Sequence, residues 1–429
     1  MNILKKNRIS KKGLIILFIA LFITCFFGMF STIYADDVDN EEEISQNEIN
    51  EVSANVSDEP VLNSRKCVVY DRISKTIIYG KNENVKSAMA STTKIMTAIV
   101  VLENTDLNQE VVVSKKAGGT GGSRLGLRAG DKVRIEDLLY GLMLRSGNDA
   151  AVALAEHVGG SVQGFVELMN NKAVALGLKC THFVTPHGLD DSNHYTTALE
   201  LAKLSDYAMC NEKFAKIVGT KIATITVNGM PRQIANTNEL LGVLNGVVGI
   251  KTGFTNNAGR CLVTETKRNG MDIITVVLGA DTKKFRTQDS VKLIEYTCAK
   301  YKMKNIEEKI QEEFENWKNI NAGRISIKKA KQNEKLNLII KEINIKQLPL
   351  KEGQIEKIQY QINCLTQFDA PVENNIKIGT ILVKIDEKII ESIDIVNTEK
   401  IEKKTWQDYL REMLFYYKKL PQKIIQNLN

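Results

Sequence analysis

The sequence lacks the residue patterns that metal centres and histidine-dependent hydrolases require. Its seven cysteines include no CxxC pair, and its four histidines are scattered and form no HExxH. These absences argue against a zinc ribbon, a thioredoxin-like site and a common zinc protease. A GxSxG nucleophile elbow is also missing, so no triad of the α/β-hydrolase type is indicated. We therefore expect neither a metal ion nor another cofactor.

The chain has no strong excess of either charge outside its N-terminus. The formal net charge of the 429 residues is +7, and residues 1–35 hold five basic and no acidic residues. The remainder carries only +2, which argues against a general nucleic-acid-binding protein. A hydrophobic content of 43% with 25% charged residues is typical of globular domains, and the length allows two or three of them.

The N-terminus has the pattern of an export signal. Five basic residues precede an eighteen-residue apolar run, 13–30, and small residues follow before Asp36. This order predicts a secretory signal peptide over 1–35, cleaved after Ala35, and a protein that works outside the cytoplasm. An uncleaved anchor remains the alternative, because the apolar run is nearly long enough to cross a bilayer.

Changes in composition predict the remaining segments. Residues 36–60 carry ten acidic and no basic residues, which predicts a disordered spacer. Residues 61–302 begin with β-rich runs, continue with helical patterns and end with two apolar runs around Arg268-Asn269-Gly270, a hairpin signal. This order predicts an α+β domain with an antiparallel sheet under a helical layer. Alternating aliphatic and charged residues over 303–400 predict a small all-β domain.

A serine and a lysine three residues apart offer nucleophilic chemistry without histidine. Ser91 and Lys94 belong to the segment Ser-Thr-Thr-Lys, and an apolar run, 95–102, predicts that a helix begins there. On a helix these two residues share one face, one turn apart. A buried lysine kept neutral by neighbouring cations can then act as the general base. The motif alone is weak, because Ser326 to Lys329 matches it as well.

Two further triplets follow in the chain. They are Ser146-Gly147-Asn148, between two helical patterns, and Lys251-Thr252-Gly253, at the end of an apolar run. Taken singly they are also typical of a helix cap and of a strand end. In this order, S-x-x-K, S-x-N and K-T-G form the motif set of penicillin-binding proteins and class A β-lactamases, here with glycine in place of the central aspartate.

In its wider surroundings the sequence resembles the serine-type D-alanyl-D-alanine carboxypeptidases, which are low-molecular-mass penicillin-binding proteins. The similar blocks are 90–98, 137–156, 183–198 and 249–263. The resemblance is strong over 62–300 and weak over the β domain. It implies a penicillin-recognising, β-lactamase-like catalytic domain over 61–302, the small β domain over 303–400, and a C-terminal helix that associates with the membrane.

The resemblance also implies a role for each motif residue. Ser91 would be the acylating nucleophile, Lys94 would accept its proton, and Ser146 would relay a proton to the leaving D-alanine. The implied substrate contacts are Asn148 for the amide, Lys251, Thr252 and Gly253 for the terminal carboxylate, the backbone N–H groups of Ser91 and Phe254 for the oxyanion, and Arg286 as an additional carboxylate ligand. The reaction would remove the terminal D-alanine from peptidoglycan stem pentapeptides, with β-lactams as covalent inhibitors.

The C-terminal segment, 401–429, has an apolar stripe at helical spacing. Trp406, Leu410, Met413 and Tyr417 recur every three or four residues in a stretch with a small basic excess. This pattern predicts an amphipathic helix on the membrane surface at the outer face of the cell. Packing on its own domain and a dimer contact are the alternatives.

Two rival functions remain beside the carboxypeptidase. A β-lactamase needs a carboxylate or tyrosine positioned for fast deacylation, and Ser146 occupies the place where some of those enzymes have tyrosine. A non-catalytic cell-wall-binding module would retain the fold without using Ser91.

Overall fold

The computed structural model describes residues 44–331 and 335–426, with side chains to residue 418. The predicted signal peptide and the first part of the predicted spacer lie outside these residues. In the described part of the chain, no helix combines the length and the apolar character needed to span a membrane.

The described chain contains α-helices, strands and three short 3-10 helices. The α-helices are α1 Gln46–Ala54, α2 Lys94–Asn104, α3 Lys115–Gly118, α4 Ile135–Leu144, α5 Asn148–Gly159, α6 Val162–Ala175, α7 Ala198–Met209, α8 Glu212–Val218, α9 Lys283–Lys300, α10 Glu307–Asn321 and α11 Trp406–Gln426. The strands are β1 Lys66–Asp71, β2 Ile77–Lys81, β3 Glu110–Val112, β4 Lys132–Arg134, β5 Ile222–Val227, β6 Met230–Ala235, β7 Val247–Thr255, β8 Gly259–Arg268, β9 Met271–Ala280, β10 Tyr301–Asn305, β11 Ser326–Lys328, β12 Leu338–Ile340, β13 Gln347–Lys351, β14 Gln359–Cys364, β15 Gln367–Asp369, β16 Lys377–Ile385 and β17 Lys388–Asn397. The 3-10 helices are Ala90–Thr93, Ala322–Arg324 and Ile355–Lys357.

A five-stranded antiparallel sheet, β2-β1-β9-β8-β7, forms the centre of the N-terminal region. The predicted hairpin joins β8 to β9, with Arg268 opposite Met271 and positive φ angles at Asn269 and Gly270. Two consecutive positive φ angles are what a tight type I′ turn requires, and Asn-Gly supplies them at little cost. The predicted α+β fold is confirmed.

Helices cover both faces of this sheet. Val68 on β1 packs in the large core that contains most of α2, whereas its neighbours Cys67 and Val69 pack with Leu293 on α9. Successive strand residues point to opposite faces, so a strand covered on both sides is apolar throughout. The strand β7 at one edge carries the Lys-Thr-Gly triplet.

The prediction of a disordered spacer over 36–60 is wrong for residues 46–54, which form a helix. Residues Gln46–Ala54 form α1, which Ser45 caps through a reciprocal hydrogen-bond pair with Glu48. Ile44 and Ile49 are buried against a cluster that includes Leu240 and residues of α9. The segment is acidic, but it also contains a capping box and two isoleucines. These are sufficient to form a short helix when the isoleucines can pack on an apolar surface.

The C-terminal region has its own core. A four-stranded sheet, β12-β17-β16-β14, packs with Ile310 and Phe314 of α10, which confirms the predicted all-β region beyond the first domain. The last helix, α11, exposes large side chains along the predicted stripe, including 72% of Trp406 and 74% of Tyr417.

Candidate active site

Ser91 stands at a turn that the sequence alone does not specify. A 3-10 helix, Ala90–Thr93, leads into α2, and Ala90 has a positive φ of 46°. Ser91 is 8% exposed, and its Oγ lies 2.8 Å from Nζ of Lys94. The expected pairing of serine and lysine is therefore present, although a 3-10 turn rather than the α-helix itself carries the serine.

The Lys94 amine has polar neighbours in addition to the serine. Its side chain is fully buried, and Nζ lies 2.7 Å from Oδ1 of Asn148 and 2.9 Å from the backbone oxygen of His187. These acceptors come from separate parts of the chain and fix the amine at Ser91 Oγ. A buried amine that is fixed in this way is well placed to exchange a proton with the serine hydroxyl.

The Ser146 hydroxyl is buried and makes no hydrogen bond to the described residues. Ser146 lies between α4 and α5 with a φ of 58°, and its Oγ has no hydrogen-bond partner among the described residues. Buried hydroxyl groups normally have partners, so an unsatisfied one at a suspected site is available for a ligand. Two residues on, Asn148 Nδ2 donates to the Gly121 oxygen at 2.8 Å.

Strand β7 passes close to the nucleophile. A β-carbon on Gly253 would lie 3.0 Å from the Ser91 nitrogen, so glycine permits the approach. Lys251 is 1% exposed and Thr252 Oγ1 lies 2.7 Å from Oγ1 of Thr237. The Phe254 ring stacks on the Arg260 guanidinium at 3.6 Å, which fixes the end of the strand.

Arg286 lies on α9 and does not join the groups around Ser91. It is 3% exposed, its Nη2 is 3.5 Å from Oε2 of Glu239, and Lys283 Nζ is 2.9 Å from Oε1 of the same carboxylate. Arg286 and Thr252 line one cavity of about 560 Å³. Its predicted role as a carboxylate ligand thus depends on a substrate that extends into this cavity.

Asp149, which no sequence motif singled out, organises the glycine-rich loop 119–131 between α3 and β4. This fully buried carboxylate accepts hydrogen bonds from the backbone N–H groups of Leu125, Gly126 and Leu127, at 2.8, 2.8 and 2.9 Å. The same loop supplies the Gly121 oxygen to Asn148. An aspartate directly after Asn148 was the available signal, but its partners are more than twenty residues earlier in the chain.

Two histidines beside the site are neutral. Burial lowers the pKa of His187 to about 3. Burial also lowers the pKa of His194 to about 4. His194 accepts at Nδ1 from the Val184 N–H, so the proton on Nε2 can be donated to Thr93 Oγ1 at 2.7 Å. These rings support the backbone around the site rather than acting as its base.

The second serine–lysine motif forms no comparable site. Ser326 begins the short, largely exposed strand β11, and Lys329 pairs with Asp369 at 2.8 Å. In the described chain, no group of three or more His, Cys, Asp or Glu residues could hold a metal ion.

Comparisons with known proteins agree with this arrangement. The sequence family described as D-alanyl-D-alanine carboxypeptidase matches residues 53–282, and the family of the C-terminal domain of penicillin-binding protein 5 matches 314–403. The chain is 30% identical to the D-alanyl-D-alanine carboxypeptidase DacF of Bacillus subtilis, over 82% of this chain and 89% of the relative. It is 32% identical to DacA of Escherichia coli K12, over 83% and 89% of the two chains.

A solved structure gives the same match. The D-alanyl-D-alanine carboxypeptidase DacD from Francisella tularensis superposes with a TM-score of 0.65 at 26% identity, covering 86% of this chain and 98% of the other.

Proposed function

Because the chain belongs to the D-alanyl-D-alanine carboxypeptidase family, we propose that Ser91 forms an acyl-enzyme with the penultimate D-alanine of a peptidoglycan stem pentapeptide. Members of this family are serine hydrolases of cell-wall metabolism that bind penicillin. The observation that carries this proposal is the buried Lys94 amine at 2.8 Å from Ser91 Oγ. Among the described residues around Ser91, Lys94 is the candidate for the general base. His187 contacts Lys94 only through its backbone oxygen, and the His194 ring is hydrogen-bonded to Thr93.

Acylation begins when neutral Lys94 takes the proton of Ser91 Oγ. The oxygen attacks the carbonyl carbon between the two D-alanines and forms a tetrahedral intermediate. The backbone N–H groups of Ser91 and Phe254 stabilise its oxyanion, and the close approach of Gly253 to Ser91 supports this pairing.

The leaving D-alanine needs a proton on its nitrogen. Ser146 provides it in this proposal, because its buried hydroxyl has no partner in the described chain and can relay the proton that Lys94 has taken. The C–N bond breaks, D-alanine departs, and the acyl group remains on Ser91. Water then attacks the ester, again with Lys94 as base, and releases the shortened peptide.

Substrate contacts follow from the same positions. Asn148 is fixed between Lys94 and Gly121 and would hold the amide of the substrate. Lys251, Thr252 and Gly253 would bind the terminal carboxylate along β7, with Arg286 reached through the neighbouring cavity. A β-lactam would acylate Ser91 in the same manner, and its retained leaving group would slow hydrolysis.

We also propose that the protein is exported and acts at the outer face of the membrane or in the wall. Residues 61–302 would be the catalytic domain and 303–400 a separate β domain. The exposed aromatic stripe of α11 supports a membrane-surface role for 401–429.

Two measurements on one preparation test the catalytic proposal. The purified chain is incubated with a fluorescent penicillin, and mass spectrometry of its peptides locates the label. D-Alanine release from diacetyl-lysyl-D-alanyl-D-alanine is measured in parallel. A stable label on Ser91 with D-alanine release is expected. Fast turnover of the label without D-alanine release would indicate a β-lactamase, and the absence of a label would indicate a binding module.

A further inference from the structure

A cavity adjoins the predicted carboxylate site. It has a volume of about 560 Å³, and Thr252 of the Lys-Thr-Gly triplet forms part of its wall. Cavities of 300–1,000 Å³ accommodate whole small molecules. The side chain of a terminal D-alanine is only a methyl group, so most of this space would remain unused.

Basic side chains dominate the walls of the cavity. The basic residues lining it are Arg145, Lys221, Lys283 and Arg286, and Glu239 is the acidic one. Glu239 is already shared, because it lies 2.9 Å from Lys283 and 3.5 Å from Arg286. The wall therefore has a formal charge of +3, and one substrate carboxylate would leave an excess of two positive charges.

Arg145 and Lys221 carry the two excess positive charges. Neither has an acidic partner within 4.0 Å among the described residues, and Lys221 makes only a 3.5 Å contact with the Gly242 oxygen. Arg145 is half-buried and Lys221 is exposed, so both can meet a ligand without first breaking an ion pair. Lys283, by contrast, is engaged with Glu239.

Backbone pairing connects both residues to Thr252. Thr237 lies 2.7 Å from Thr252 through their hydroxyl oxygens, and its N–H donates to the oxygen of Leu144, which directly precedes Arg145. The neighbouring Asn236 N–H donates to the Lys221 oxygen. Arg145 and Lys221 are thus both held near Thr237, and they line the same cavity as Thr252.

We propose that this cavity is a leaving-group subsite for a residue that carries a second carboxylate. The class comprises D-amino acids whose side chain carries a carboxylate, such as D-glutamate and D-aspartate. The inference rests on the proposed function, because the first carboxylate is bound at Thr252. The chemistry is unchanged: the amide bond breaks, and water supplies hydroxyl to the acyl group and hydrogen to the departing amine.

The test compares two leaving groups of equal size. Diacetyl-lysyl-D-alanyl-D-glutamate and diacetyl-lysyl-D-alanyl-D-glutamine differ in one charge, so the ratio of their kcat/KM values reports the second carboxylate alone. We expect a ratio of about 5 in favour of D-glutamate, the order of one or two partly exposed ion pairs. In the double variant Arg145→Gln, Lys221→Gln we expect the ratio to fall to about 1.

A matched variant and a third substrate make the outcomes decisive. Lys213→Gln removes a positive charge from the exposed start of α8, outside the cavity, and should keep the ratio of the unaltered chain. D-Alanine release with equal rates for the D-glutamate and D-glutamine substrates would overturn this inference alone. A preference that survives in the double variant would overturn it too. No release from any substrate, D-alanyl-D-alanine included, would refute the proposed function and with it this inference.

Discussion

Gly188 lies directly against the backbone that carries the nucleophile: a β-carbon at this position would be 1.9 Å from the carbonyl oxygen of Ala90. Its φ of 92° is also one that other residues rarely adopt. Immediately before it, the Pro186 oxygen accepts from Thr97 Oγ1 at 2.6 Å, and the His187 oxygen accepts from Lys94. The loop around Gly188 and the turn around Ser91 therefore pack as one unit.

Replacement of Gly188 by alanine should damage activity more than its backbone strain explains. The new methyl group cannot be accommodated without moving Ala90, and Ser91 moves with it. We expect kcat/KM for D-alanine release to fall at least about 100-fold, since misplacement of a reacting group by about 1 Å has that effect. Steady-state kinetics with thermal unfolding measures both consequences.

Gly177→Ala is the matched control for this change. Gly177 also has a positive φ, of 70°, but a β-carbon added there would have nothing within 4 Å of it. The substitution should cost about 1 kcal/mol of stability and leave kcat/KM nearly intact. Equal losses of activity in the two variants would show that backbone strain, and not contact with Ala90, explains the result.

Ser91→Ala should abolish both labelling by penicillin and D-alanine release, because no oxygen remains to form the acyl-enzyme. Ser326→Ala removes the serine of the other matching motif and should retain both activities, since Ser326 is exposed on β11. Gel fluorescence and an assay for D-alanine measure the two readouts. Residual stable labelling of the Ser91→Ala protein would identify a different nucleophile.

Asp149→Asn should loosen the glycine-rich loop and lower activity. The variant loses the charge and one of the two oxygens that accept from Leu125, Gly126 and Leu127. Hydrogen bonds to a charged group contribute about 1.5–3 kcal/mol each, so we expect a loss of about 3 kcal/mol in the free energy of unfolding. Urea denaturation measures it. Asp106→Asn, at an exposed turn, is the control, and equal stability of the two variants would contradict the assigned role.

Burial of His194 should make the free energy of unfolding depend on pH in the acidic range. Its pKa is about 4 in the folded chain and near 6.5 when exposed, so the unfolded state binds more protons between these values. The contribution of neutral His194 to the free energy of unfolding, up to about 3 kcal/mol, is therefore complete above pH 6.5. It is lost as the pH falls towards 4 and below.

Urea denaturation at pH 7 and pH 4.5 tests this dependence. The difference between the two free energies of unfolding should be smaller for His194→Asn than for the unaltered chain. The exposed His157 provides the control, and His157→Asn should keep the full difference. A His194→Asn protein with an undiminished difference would assign the acid sensitivity to other groups.

The apolar stripe of α11 should determine membrane binding. Met413→Asp places a charge in the middle of the exposed stripe, whereas Gln407→Asp adds the same charge outside it. Met413→Asp should reduce co-sedimentation with anionic lipid vesicles by about 10-fold or more, because a charge replaces an apolar side chain that would insert into the membrane surface. Vesicle binding that is equal for both variants would favour a packing or dimer role for the helix.

The local sequence determined the elements and the order of the motifs. Asn269-Gly270 specified the β8–β9 turn, the apolar run after Ser91 specified α2, and alternation specified the C-terminal strands. These signals depend on neighbouring residues and on periodicity, which the chain carries in any context. They were sufficient for the α+β fold, whereas the list of candidate residues came from the three motifs and from the resemblance to the carboxypeptidases.

Only the tertiary structure decided which of those candidates meet. Asn148, His187 and Lys94 are distant in sequence and converge through packing, while Arg286 pairs with Glu239 and lines a cavity together with Thr252. Asp149 and Gly188 position the site through contacts with segments that no local sequence pattern connects to them. The helix α1 forms because its isoleucines pack on an apolar surface of the domain. Long-range contacts depend on the shape of the whole domain, so spacing along the chain cannot reveal them.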